Sequence, residues 1–192
     1  MSNDDLTLDL LRARTTGHLG GAKNTGTLST GPLKVSKVLS KEFEQAQAGT
    51  LSVEEFVRLK RNNLSEIASL AADFYGKERY DDSLYLFKEL IAINENDARY
   101  HNAVGAVLIQ QKDYEGAISY LNNALELNSE SISAIVNRAE AYLLTNRFEE
   151  AYKDLEKAIA LDPDEKSPAA NRGRHLALGM AKIAESLKAT AG

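Results

Sequence analysis

The sequence has no cysteine and no tryptophan, only three prolines in 192 residues, and no long uninterrupted apolar run. Without cysteine there is no disulfide framework, no thiol nucleophile and no thiolate metal site. A membrane helix needs about 20 consecutive apolar residues, so no segment is expected to insert into a bilayer. The opening Met1-Ser2-Asn3-Asp4-Asp5 is acidic and lacks the basic n-region and apolar run of a secretory signal. The expectation is a soluble cytoplasmic protein, in which the sequon Asn63-Leu64-Ser65 is incidental. Histidine is scarce as well. His18, His101 and His175 lie far apart, and no nucleophile, base and orienting group can be assembled from the chain. Nothing therefore points to an enzyme, a metal or a cofactor.

Basic charge is short overall and unevenly placed. Residues 1–63 carry nine Lys/Arg against seven Asp/Glu, residues 64–165 nine against twenty, and residues 166–192 five against one. An acidic middle argues against nucleic acid, whose phosphates require a basic face. It either attracts a basic or neutral protein partner or forms a solvated outer face. The acid pairs Asp81-Asp82 and Glu149-Glu150 fall where second helices should open, and there negative charge favours the helix dipole. One glycine-bearing stretch, Gly21-Ala22-Lys23-Asn24-Thr25, resembles a phosphate loop only superficially. It lacks the Gly-Lys-Ser/Thr ending, and no strand precedes it.

What is present is a period of 34 residues from Leu64 to Glu165. Small residues recur as Ala71, Gly105 and Ala139, and again as Ser83, Ala117 and Ala151. Large ones recur as Phe74, Leu108 and Tyr142, as Tyr80, Tyr114 and Phe148, and as Phe87, Leu121 and Leu155. Leu90, Ala124 and Ala158 keep phase too, as do Ile93, Leu127 and Leu161, with no insertion anywhere. A fixed period of this length marks a repeat architecture. Each unit reads as two helices and a turn. First helices are expected near Leu64–Gly76, Arg99–Gln111 and Ser133–Thr145, and second helices near Asp81–Ile93, Glu115–Leu127 and Glu149–Leu161. Small residues at the eighth and twentieth positions let the two backbones approach, and large ones at the eleventh, seventeenth and twenty-fourth fill the space around that contact.

The flanks differ. Residues 1–33 hold Leu6, Leu8, Leu10 and Leu11, then mostly Gly, Thr and Asn, a composition that builds no core and reads as a flexible arm. Val35, Val38, Leu39 and Phe43 have helical spacing up to about Gln47, and Ser52 with Glu55 forms a capping box for a second helix with Val53, Phe56, Val57 and Leu59. Residues 34–63 are thus expected to cap the first repeat, since an end repeat leaves one apolar face open. Dimerisation through the same segment stays open. After Pro163, Ser167-Pro168 starts a helix with Leu176, Met180, Ile183 and Leu187. Gly173 falls at the eighth position of an unfinished fourth unit, so residues 166–192 should form the C-terminal cap. Arg172, Arg174, Lys182 and Lys188 are expected on its solvent side.

Residues 64–165, as units 64–97, 98–131 and 132–165, resemble the tetratricopeptide repeat. The third unit fits best, through Ala139, Tyr142, Phe148, Ala151, Leu155, Ala158 and Asp162-Pro163. The first replaces the closing Asp-Pro by Asn94-Glu95, and Ile67, His101 and Ile135 stand where the family usually has a large aromatic. The resemblance implies an all-α fold: an α solenoid of three helix pairs with helical caps at both ends, and a concave groove lined by the first helices. On the family's pattern the peptide-binding positions are Ser65, Ala68, Ala72 and Tyr75, then Arg99, Asn102, Ala106 and Ile109, then Ser133, Val136, Glu140 and Leu143. This set suits an extended or helical segment with apolar side chains. Family members that grip a C-terminal carboxylate place Lys, Asn and Arg where this chain has Ala68, Ala72, Ala103, Ser133 and Asn137, so that activity is not expected. Ile67-Ala68-Ser69-Leu70-Ala71, Tyr80-Asp81-Asp82 with Phe87, and Ala139-Glu140-Ala141-Tyr142-Leu143-Leu144 also look like repeats of the class II chaperones of bacterial type III secretion, which hold translocator proteins. The functional expectation is a binding module whose client lies in the groove, a secretion-type chaperone. The alternative is a scaffold or adaptor subunit of a larger intracellular complex.

Overall fold

The computed structural model describes residues 40–191, and every regular element among them is helical. The expected arm 1–33, with His18 and the phosphate-loop-like stretch, and the helical residues Val35, Val38 and Leu39 lie outside that range, as do the side chains of Leu187 and Lys188. The chain divides into two compact units, with the division in the sequence falling between Ser129 and Glu130.

The first unit, residues 40–129, starts with α1 (Lys41–Gln47) and α2 (Val53–Lys60). Both begin on a serine. Ser40 Oγ accepts the Phe43 N–H, and Ser52 Oγ accepts the Glu55 N–H, each at 3.1 Å. These bonds satisfy amides that have no partner inside the helix. Phe43 and Phe56 meet edge to face at 6.2 Å. Two helix pairs follow, α3 (Leu64–Gly76) with α4 (Tyr80–Ile93), and α5 (Ala98–Gln110) with α6 (Tyr114–Leu127). The expected helix boundaries are met to within a residue.

The short helices are fastened to the first pair through buried Glu66 at the start of α3. Its carboxylate accepts the Ser40 N–H at 3.1 Å and the Asn63 Nδ2–H at 3.0 Å, and Lys60 Nζ lies 3.5 Å away. A buried carboxylate is stable only when it is paired in this way. The core of the unit is Phe56, Ile67, Leu70, Phe74, Leu86, Phe87, Leu90, Val104, Val107 and Leu121.

The second unit, residues 130–191, pairs α7 (Ile132–Leu144) with α8 (Phe148–Ala160), and α9 (Pro168–Ala191) packs on both. Ile135, Ala139, Leu155 and Ala158 are fully or almost fully buried. Arg138 of α7 donates from Nε and Nη2 to both oxygens of Asp154 on α8, at 2.8 Å each. This is the bidentate fork that suits a guanidinium to a carboxylate.

The turn inside every pair is built alike. Glu78, Lys112 and Asn146 sit at the same repeat position with φ of 60°, 64° and 60°. The next residue's N–H then reaches back five residues, Arg79 to the Phe74 carbonyl, Asp113 to Leu108 and Arg147 to Tyr142, which closes the helix end in a Schellman-type turn. Two solutions start the second helix. Where the eleventh position is aromatic, an arginine lies over the ring: Arg79 over Phe74 at 4.0 Å and Arg147 over Tyr142 at 4.4 Å. Each also pairs with an acid three residues on, Asp82 or Glu150. Where that position is Leu108, the arginine is replaced by Asp113, whose Oδ1 accepts the Gly116 N–H at 3.0 Å.

Candidate functional site

The predicted binding positions fall on the first helices of both units. Ser65, Ala68, Ala72 and Tyr75 are on α3 and Arg99, Asn102, Ala106 and Ile109 on α5, in the first unit; Ser133, Val136, Glu140 and Leu143 are on α7 in the second. Half of these are buried. Ala68 and Val136 are 0% exposed and Asn102 2%, and Ala106, Ile109 and Glu140 are nearly as closed. The helix α5 is buried continuously from Tyr100 to Ile109, so no side of it is left polar and solvated. The side chains that reach the surface are Ser65, Ala72, Tyr75, Arg99, Ser133 and Leu143.

Three of these side chains have defined neighbours. Ser65 Oγ donates to Asn63 Oδ1 at 2.9 Å. Tyr75 stands edge-on to Tyr80, the first residue of α4, at 5.7 Å. Arg99, the one cation among the predicted positions, is held by Asp97: Nε to Oδ1 at 2.9 Å and Nη2 to Oδ2 at 2.6 Å. The Arg99 side chain's hydrogen bonds hold the Asp97 carboxyl below the usual carboxylate range against the opposing effect of burial, and the Arg99 backbone N–H adds to the lowering. The charge is thus already balanced, and Asp97 also caps α5 through the Arg99 N–H at 3.0 Å. His101 packs inside the unit as expected. Its Nε2 lies 2.8 Å from the Glu95 carbonyl oxygen.

In the second unit the structure corrects the reading of α9. Arg172 and Arg174 do not point to solvent. Arg172 Nη1 donates to Glu140 Oε2 at 2.6 Å, and Nη2 donates to Asn137 Oδ1. Arg174 Nη1 donates to Asp162 Oδ2 at 3.1 Å, and its Nη2 reaches the Asp162 carbonyl. Asp162 Oδ1 also accepts the N–H groups of Lys166 and Ser167, at 3.0 and 3.1 Å. Burial pushes the Asp162 carboxyl up, but Arg174 and the two backbone amides outweigh it and hold the group below its ordinary range. Lys182 is exposed, as expected.

Sequence reasoning missed Arg172 as a resident of the α7 face. The available signal was the third unit's departure from the other two, Asn137 and Glu140 where the second has Ala103 and Ala106. Among the described residues no cluster of His, Asp and Glu could hold a metal ion, and no helix is long and apolar enough to cross a membrane.

Residues 108–173 match the family model of the tetratricopeptide repeat. Hsc70-interacting protein 1 of Drosophila melanogaster is 32% identical over 103 residues, 54% of this chain but 27% of its own length, so the chain spans about a quarter of that relative. Among solved structures, the type III secretion translocator chaperone SycD of Yersinia enterocolitica superposes with a TM-score of 0.56 at 21% identity, over 68% of this chain and 95% of that one. SycD has also been solved in complex with a peptide of the translocator YopD, with a TM-score of 0.55 at the same identity and 96% coverage of its chain. The first tetratricopeptide domain of Spaghetti (RPAP3), bound to the HSP90 peptide SRMEEVD, gives 0.56 at 19% identity, over 66% and 94%. The family model thus covers about a third of the chain, and the solved structures, at 19 to 21% identity, share its helix-pair fold.

Proposed function

We propose that this chain is a non-enzymatic protein-binding module that holds a segment of a partner against the first helices of its repeats, as a cytoplasmic chaperone of the translocator type. The observation that carries the reading is the chemistry of the exposed first-helix positions. Ser65, Ala72, Tyr75, Ser133 and Leu143 are neutral, and the one cation, Arg99, is already paired with Asp97. On each unit, such positions favour a neutral, partly apolar segment over a charged one, because a carboxylate brought to them would lose water without gaining a cation from among them. The likeness to SycD, which has been solved with a translocator peptide, agrees with this in fold. The residues at the carboxylate-gripping positions of the wider family point the same way: Ala68 and Ala103 are fully buried, and Asn137 faces Arg172.

A second reading is an adaptor subunit of a larger complex, and the curated relative, an Hsc70-interacting protein, favours it. The two differ in what the chain carries from its native source. A chaperone brings down one aggregation-prone client, and that capture fails in Tyr75→Asp and Leu143→Asp while Tyr152→Asp, on an exposed residue of α8, keeps it. An adaptor brings several stable subunits whose recovery is indifferent to Tyr75 and Leu143.

A further inference from the structure

At the ninth position of the repeat the chain reads Ala72, Ala106 and then Glu140, and at the sixth Ser69, Ala103 and then Asn137. The two polar replacements on α7 are where Arg172 arrives from α9. The next residue is Gly173, where a Cβ would stand 3.1 Å from Val136 Cγ2, a tight contact that Val136 would have to yield to. The Glu140 side chain is 7% exposed and that of Arg172 22%, with 2.6 Å between them. A guanidinium presents a planar fork of donors that matches a carboxylate. Here the carboxylate comes from the chain itself.

We infer that Glu140 is a built-in occupant of an anion-binding position on α7, and that it sets the specificity of the client-binding face. By keeping Arg172 neutralised it turns away acidic segments and free carboxyl termini. An acidic peptide drawn to Arg172 would compete with Glu140 for the guanidinium, and a displaced Glu140 would lose the ion pair that its buried carboxylate makes. A neutral segment meets no such obstacle. The inference rests on the reading that the α7 face holds the client.

The acidic peptide SRMEEVD, which the Spaghetti domain binds, serves as the probe. Its binding, as free acid and as C-terminal amide, is measured by fluorescence anisotropy on the full chain, on Glu140→Gln and on the Glu140→Gln/Arg172→Ala double variant. The wild type is expected to bind both forms weakly and alike. Glu140→Gln is expected to bind the free acid about tenfold more tightly, the scale of one charge-assisted hydrogen bond, and the double variant to lose that gain. A folded Glu140→Gln with no gain overturns the inference, as does a wild type that already prefers the free acid. If Glu140→Gln loses its helical signal, Glu140→Ala decides in its place, and loss of folding in both makes the pair a structural tie without a role in specificity. Client capture separates the two readings. Capture abolished by Leu143→Asp with no gain in Glu140→Gln refutes this inference alone, whereas a gain with capture indifferent to Leu143 counts against the client face and leaves the anion position standing.

Discussion

At single residues the repeat shows where its backbone is strained and where it is crowded. Lys112 holds φ at 64° in the turn between α5 and α6, a left-handed conformation that costs a residue with a Cβ about 1 to 2 kcal/mol. Glycine removes that cost and returns part of the gain as unfolded-state entropy. Lys112→Gly should therefore raise the urea midpoint, with a net gain of up to about 1 kcal/mol. Gly105 lies at the opposite extreme. A Cβ on it would fall 2.5 Å from Leu121 Cγ, inside a side chain that is itself fully buried. Gly105→Ala should cost about 1 to 3 kcal/mol in the same measurement, the usual range for overpacking a core. The equivalent Ala71 and Ala139 show that the position tolerates a methyl when its surroundings are built for one, so the penalty belongs to the α5–α6 contact. The structure also changes what a substitution at Ala106 can report. Its sequence position suggests a groove residue, yet it is 6% exposed on a helix buried on every side. Ala106→Glu buries a charge, so it should lower stability by at least ~2 kcal/mol in a denaturant melt, in addition to any effect on binding.

At the level of helices, the sequence was most legible where periodicity alone decides the outcome. The 34-residue phase placed α3 to α8 to within a residue, because small and large residues alternate at fixed offsets and only one pairing of helices buries them together. The Ser52 cap and the Ser167-Pro168 start were equally readable, since capping is a local property: Ser167 Oγ accepts the Ala170 N–H at 3.3 Å. The polar ties were not. Glu66, Asp154, Glu140 and Asp162 find their partners through the approach of a second element, and no spacing along the chain announces where that element lands. Arg172 and Arg174 looked solvent-facing for the same reason.

These ties give α9 a dependence on pH. The Asp162 carboxyl has a lowered pKa when folded, so its contribution is present above the ordinary aspartate value of about 4 and is lost as pH falls through the lower folded value. Urea melts at decreasing pH should show stability falling in that window, and Asp162→Asn should flatten the fall. An acid limb identical in the variant would place the titration elsewhere. Between α7 and α8, Asp154→Ala would remove the bidentate partner of Arg138. It should destabilise by about 3 kcal/mol, the scale for breaking a largely buried pair from one side.

For the molecule as a whole, the fold and the kind of binding surface follow from different features. The fold is carried by small and large residues in phase, and a family model and solved neighbours agree with it. The proposed binding surface rests on a few partly exposed neutral side chains on first helices. The sequence located their helices but could not tell which would remain open after packing, because the closure of Ala68, Asn102 and Val136 is decided by neighbours remote in the chain. Site-specific photocrosslinking tests the surface most directly. A benzoylphenylalanine is placed in the full chain at Tyr75 or Leu143, or at the exposed controls Tyr152 and Leu178, each 57% exposed, and the chain is expressed in its native source. The account predicts one crosslinked partner at Tyr75 and Leu143, and none at Tyr152 or Leu178. A partner captured at Tyr152 or Leu178, with Tyr75 and Leu143 silent, would contradict it.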